Sequence, residues 1–455
     1  MSPAQNPYLH NSVPAMFIKV ALPIVALTSF NGLLTVVDAI FLGAFVGPDA
    51  LTAVTLMFPL IMLVTAMATM ISSGMSSVLG RLLGGGRFEE ARQNLVGAHG
   101  LAIVSCVILM ASFAFLGTPL VDLMAGGSAQ LASMGHAFLS ISIFTAPFAF
   151  FLSIHSDALR VEGRVGLMAI AGLLASLLNI GFNFALIVGL HMGIAGSALG
   201  TALAQLVALI VVVVYRATGR APLKVGAADV RHWCSSWTQI LSLGAPRSLT
   251  FVGISLGAAA TITALRLFGA ENADAAIAAY GVITRLLTFC FFPLMGMSLA
   301  LQAMVGNNYG ASQWERSNTS LRLGLGLSLA YSVLIEAGLI VFRDSIGGVF
   351  VGDVAVQLEV ARILPIFIAG YWTFGPMMMI SSYFQSIGDA KRSAVLALSR
   401  TYLFVVPLTF VLPLVFGIQA VWFAAPLADA MLLLTTGAIL LGQSRQFNWG
   451  LFRTA

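Results

Sequence analysis

Asp38 is the single acid in the otherwise apolar run LPIVALTSFNGLLTVVDAIFLG. A carboxylate inside a membrane-spanning helix costs about 3 kcal/mol or more unless it is paired, hydrated or protonated, so such a group is a functional candidate by default. Asn31 and Thr35 precede it at offsets of seven and three, which puts a polar stripe along one side of the helix. Further on, SLLNIGFNFALIVG carries Asn179 and Asn183 four residues apart, and GIAGSALGTALAQ carries Thr201 and Gln205 at the same spacing. Each pair shares a helix face. One carboxylate among amide and hydroxyl oxygens suits a hard cation such as sodium, and the carboxylate could equally hold a proton. Spacing alone does not bring the three helices together, and Asn179, Asn183 and Thr201 serve as well to hydrogen-bond helices across a bundle.

The elements that must position these residues follow from composition. The chain has 455 residues, of which 59% are hydrophobic and 9% charged, with mean hydropathy +0.97. A soluble surface needs roughly 25% charged residues, so lipid is the solvent here. About 20 apolar residues at helical rise cross a bilayer core. Twelve such runs lie near residues 14–43, 51–77, 95–117, 130–157, 165–189, 192–216, 238–268, 274–305, 318–342, 355–386, 393–416 and 418–441. The first is longer than a signal-peptide core and lacks a strongly basic region before it, so it reads as a span. Connections after even-numbered runs hold Arg81, Arg87, Arg92, Arg160, Arg164, Arg216, Arg220, Lys224, Arg231, Arg316, Arg322, Lys391 and Arg392. Odd-numbered ones hold little beyond Arg266 and Arg343. Positive loops stay in the cytoplasm, which places both termini, with Arg445 and Arg453, on that side. The net charge of +5 is therefore a matter of topology; its basic residues form no block of the kind that binds nucleic acid.

The polar stretch from Arg216 to Trp237, with Gly219, Pro222 and Gly226, sits at the midpoint of the chain. Across it the sequence repeats. GRLLGGGRFEEARQ from Gly80 aligns with GNNYGASQWERSNT from Gly306, Pro23 with Pro246, Gly163 with Gly388 and Gly193 with Gly417. The expected architecture is an all-α integral membrane protein of twelve transmembrane helices in two pseudo-symmetric six-helix lobes, residues 1–217 and 238–455, joined by a cytoplasmic linker over 218–237.

These motifs resemble the multidrug and toxic compound extrusion (MATE) transporters along the whole chain: LPIVALTSFNGLLTVVDAIFLG, the GRLLGGGRFEEAR loop, SLLNIGFNF and GIAGSALGTALAQ. The resemblance implies two lobes forming a V, a central drug cavity and antiport of small, often cationic, organic compounds against sodium or protons. Carried over residue by residue, it puts the cation site on Asp38, Asn179, Asn183 and Thr201, with Asn31, Thr35 and Gln205 as accessory polar groups and Pro23 as a bending point. Some members carry a second acid where Asn183 stands. The second half lacks acids in RSLTFVGISLGAAATITAL and YWTFGPMMMISSYFQ, which resembles the DinF-like branch and rests coupling on the first lobe. The resemblance further implies residence in a bacterial inner membrane and action as a monomer.

Arg247, Arg285, Glu336 and Asp429 are the ionisable groups left in second-half spans, and structural pairing or snorkelling at helix ends is expected for most of them. His99, His136, His155 and His191 are isolated in the sequence, and Cys106, Cys234 and Cys290 are far apart, so neither set indicates a metal site or a disulfide framework. No cofactor is expected. No HExxH, GxSxG or P-loop pattern occurs, which argues against an intramembrane enzyme and against ATP as the energy source. A lipid or lipid-linked precursor flippase of the same superfamily is the transport alternative; it would more readily show a strongly basic lumen.

Overall fold

The computed structural model describes residues 6–219, 222–223, 227–269 and 273–444, without the side chains of residues 35, 36, 227, 228, 273 and 442–444. Arg220, Lys224, Arg445 and Arg453, counted above as cytoplasmic charges, lie outside the described residues, as does the side chain of Thr35.

All regular structure among the described residues is helical. In the first half, α1 (Pro7–His10) precedes α2 (Val13–Phe41), α3 (Pro48–Gly84), α4 (Phe88–Met124), α5 (Ala129–Phe144), α6 (Ala146–Val161), α7 (Val165–Asn183) and α8 (Gly193–Ala217). In the second come α9 (Trp237–Phe268), α10 (Ala273–Gly310), α11 (Trp314–Val341), α12 (Arg343–Phe350), α13 (Val354–Phe367), α14 (Tyr371–Ile387), α15 (Ala390–Leu398), α16 (Val406–Phe416) and α17 (Ala424–Ser444). Among the described residues, 10 helices are long and apolar enough to cross a membrane, and two bent pairs bring the number to 12. Those pairs are α5 with α6, bent by 45°, and α13 with α14, bent by 52°.

The bends have local causes. Pro147 stands in the first turn of α6, and the Thr145 hydroxyl donates to the Ile141 carbonyl (2.7 Å), closing the preceding helix. Between α13 and α14 the backbone turns through Gly370 at φ +107°, a conformation that side-chain-bearing residues rarely adopt. The runs expected at 130–157 and 355–386 are thus each two helical pieces, and each is the fourth run of its half.

Contacts divide the chain into two compact units. The first comprises Met1–Ser12, Leu22–Ser248 and Gly306–Ser312; the second comprises Val13–Ala21, Leu249–Val305 and Gln313–Ala455. In the first unit, Met57, Phe113, Val121, Leu139 and Ile143 form an apolar core. In the second, Met377, Ile380, Phe384, Leu396 and Leu432 form another.

Inside the first unit the repeat-related loops pack on each other. A Cβ built on Gly80 would approach the Gly306 Cα at 3.5 Å, and one on Gly306 the Gly80 Cα at the same distance. A Cβ on Gly84 would overlap the Asn307 carbonyl oxygen, and one on Gly310 the Arg81 carbonyl oxygen. Arg81 and Asn307 are themselves partners in the repeat alignment, so the contact is reciprocal.

The amino-terminal segment docks on the same unit. Tyr8 is fully buried, and its hydroxyl donates to the Arg160 carbonyl. Burial pushes the Tyr8 phenol up from its ordinary range, against the nearby Arg160 charge, so the hydroxyl keeps the proton it donates. The Asn6 amide donates to Asn307 Oδ1 (2.8 Å), and Asn307 donates in turn to the Val161 carbonyl (3.2 Å).

Candidate functional site

Asp38, Asn179, Asn183 and Thr201 meet within the first unit. Asn183 Nδ2 donates to Asp38 Oδ1 (2.8 Å) and lies 3.4 Å from Asn179 Oδ1; Asn179 Nδ2 donates to Thr201 Oγ1 (2.9 Å). Thr201 Oγ1 donates to the Ser197 carbonyl (3.1 Å), which ends the chain of bonds on α8. Four groups from α2, α7 and α8 therefore form one continuous polar path, of which Asn179 and Asn183 are buried. The carboxylate is satisfied by an amide, a neutral donor, so its charge is not cancelled by a cation.

Local backbone explains how the sequence builds this. Asn183 ends α7, and the next residues, Phe184–Gly189, form a wider π-helical turn. A second π-helical stretch, Leu42–Val46, begins four residues after Asp38. Such turns break the regular helical ladder and recur at functional sites. Gly200 supplies the room: a Cβ there would overlap Asn183 Oδ1.

Asn183 Oδ1 itself is buried and has no hydrogen-bond partner among the described residues. The Asn183 amide faces Asp38 and Asn179 with its nitrogen and Gly200 with its oxygen, and the carboxylate, amide and hydroxyl oxygens of the path are of the type that suits a hard monovalent cation, as the carboxylate suits a proton.

The accessory residues separate. Asn31 Oδ1 accepts from Ser176 Oγ (2.9 Å), one turn along the α7 face from Asn179. Ser176 was not singled out by the sequence reading, although its offsets of three from Asn179 and seven from Asn183 mark it as their face-mate. Gln205 is half-buried on α8 and makes no hydrogen bond to the others. Pro23 lies inside the unbroken α2.

Of the four remaining ionisable groups, two have bonded partners. Asp429 pairs with Arg400, whose guanidinium also lies 5.1 Å over the Phe374 ring. Glu336 accepts from the Gly370 and Trp372 amides (3.3 and 2.7 Å), capping the exposed start of α14 at the bend. Arg247 lies within electrostatic reach of Arg160 and Asp157 in the first unit. Arg285 has no partner among the described residues. His99 and His155, isolated in the sequence, meet in the fold, where α4 and α6 bring their Nε2 atoms to 3.3 Å. Beyond the end of α6, buried Glu162 pairs with Arg216 (3.0 Å); burial raises its carboxyl pKa and the Arg216 charge opposes the rise.

Residues 23–185 and 255–411 match the MatE family. The chain belongs to that family, the multidrug and toxic compound extrusion transporters. It is 25% identical to "Probable multidrug resistance protein YoeA" of Bacillus subtilis (strain 168), over 99% of this chain and 98% of that protein. It is also 25% identical to "FAD transporter" of Shewanella oneidensis, over 90% of this chain and 91% of the relative. Its fold matches the "Outward-facing conformation of a multidrug resistance MATE family transporter of the MOP superfamily" at a TM-score of 0.90 and 21% identity, covering 100% of both chains. This MATE chain is accordingly a multi-pass membrane transporter and not an enzyme.

Proposed function

We propose that the protein exports small organic compounds from the cytoplasm in exchange for a sodium ion or proton bound at Asp38, by alternating access across the bacterial inner membrane. The observation that carries this reading is the bonded path Asp38–Asn183–Asn179–Thr201, with its one carboxylate. A cation arriving at Asp38 competes with the Asn183 amide for the same oxygen. Binding therefore exchanges one hydrogen bond between α2 and α7 for ion contacts, and the preferred packing of α2 changes with occupancy. Coupling requires that cargo and cation stabilise different arrangements. The protein works as a monomer with both termini cytoplasmic, and the ion is cargo, not a resident cofactor.

The test is dye efflux from proteoliposomes with sodium and proton gradients imposed separately. Asp38→Asn keeps the hydrogen-bonding shape but removes the charge, and is expected to abolish gradient-driven efflux while the protein stays monodisperse. Full gradient-driven efflux by Asp38→Asn would remove Asp38 from the coupling role. Cargo identity needs its own measurement, because two relatives of equal identity carry names with different cargoes.

A further inference from the structure

Arg285 lies on α10 twelve residues after Ala273, about 18 Å along the helix axis and far from either end. The residues around it, AAIAAYGVIT before and LLTFCFFPLMG after, are almost wholly apolar. Its side chain is exposed and makes no hydrogen bond or ion pair among the described residues. A guanidinium this far along an apolar span is costly in hydrocarbon and almost always faces the bundle interior or a water-filled cavity, so this face of α10 is read as meeting water or a ligand.

The face is equipped to bind. Phe289, one turn further on, is 38% exposed, and Thr288 beside it is exposed as well. One turn earlier, a Cβ on Gly281 would meet nothing within 4 Å, which leaves open space next to the guanidinium.

Charge decides which ligand suits it. The acids set deep within described spans already have donors: Asp38 has Asn183, Asp157 has Arg160, Glu336 has two backbone amides and Asp429 has Arg400. The group left over is basic. A guanidinium engages carboxylate, phosphate or sulfonate oxygens in pairs, and an adjacent phenyl ring offers a flat apolar surface.

We propose that Arg285 and Phe289, exposed together deep within α10, form a recognition site for flat organic anions, so that aromatic carboxylates or phosphates belong to the cargo. This rests on the transport reading for its physiological meaning, but the binding it asserts can be measured without any gradient. The probes are fluorescein and rhodamine 6G, which share a xanthene ring and carry opposite charge, titrated by fluorescence anisotropy into the purified full-length protein. Fluorescein is expected to bind saturably, and Arg285→Gln to weaken it by about tenfold or more while rhodamine 6G binds more tightly. Arg285→Lys keeps the charge without the planar fork and should fall between. The inference is overturned if fluorescein does not saturate the wild type, if Arg285→Gln leaves its affinity unchanged, or if both dyes weaken together, as general unfolding would make them do. If neither dye leaves proteoliposomes under any gradient while Arg285-dependent fluorescein binding persists, the transport reading falls and the anion site stands.

Discussion

At the residue scale, the polar path depends on a position with no polar atoms of its own. Gly200 is where it is because Asn183 Oδ1 occupies the space a methyl group would take. Gly200→Ala must displace the Asn183 amide or push α8 away from α7, and overpacking of this kind costs about 1–3 kcal/mol. The expected result is a lower melting temperature together with loss of ion-dependent efflux, since the Asn183–Asp38 bond is the one that must shift. Lowered stability with intact ion dependence would show that Asn183 can move without disturbing the carboxylate. How much of this could be read beforehand differs by residue. Asp38, Asn179, Asn183 and Thr201 were legible because polar residues at helical spacing stand out in apolar runs. That α2, α7 and α8 meet was supplied by family resemblance. The meeting of His99 and His155, 56 residues apart on α4 and α6, leaves no local signal, since periodicity within one helix says nothing of what faces it.

At the element scale, the twelve runs were legible from hydropathy, whereas the breaks inside two of them were not. Pro147 and Gly370 each sit in an apolar run long enough to span, and a residue count does not distinguish a straight span from a bent one. The repeat did carry structural information. Aligning Gly84 with Gly310 and Arg81 with Asn307 pairs the residues that the fold places in reciprocal contact: each glycine lies against the carbonyl of the other's neighbour. Both contacts are backbone against backbone, so neither can be relieved by a side-chain rotation. Gly84→Ala and Gly310→Ala are therefore expected to destabilise by similar amounts, about 1–3 kcal/mol each. Because they open the same interface, the double variant should lose less than the sum. Thermal melts of the two single variants and the double variant in detergent check this. Strictly additive losses would mean that the two contacts are independent and the pseudo-symmetric crossing has no joint role.

At the scale of the whole molecule, two helices change allegiance along their length. The first nine residues of α2, Val13–Ala21, belong to the second unit and the rest of the helix to the first; α9 belongs to the first unit as far as Ser248 and to the second from Leu249. Pro23 lies two residues past the first of these switches, and its repeat partner Pro246 two residues before the second. Neither proline breaks its helix, but each leaves the carbonyl four residues earlier, on Lys19 and Ser242, without its usual backbone donor. Under the proposed alternating access, a helix shared between the two units would flex where it passes from one to the other, and a missing hydrogen bond lowers the energy of flexing there. Pro23 was marked by family resemblance and by the backbone hydrogen bond a proline removes; the division of contacts gives its repeat partner Pro246 the same standing. Pro246→Ala restores the donor and should raise the melting temperature by several degrees, leave dye binding in place and slow efflux turnover several-fold. A raised melting temperature with undiminished turnover would make Pro246 a static kink and leave the flexing to α2 alone.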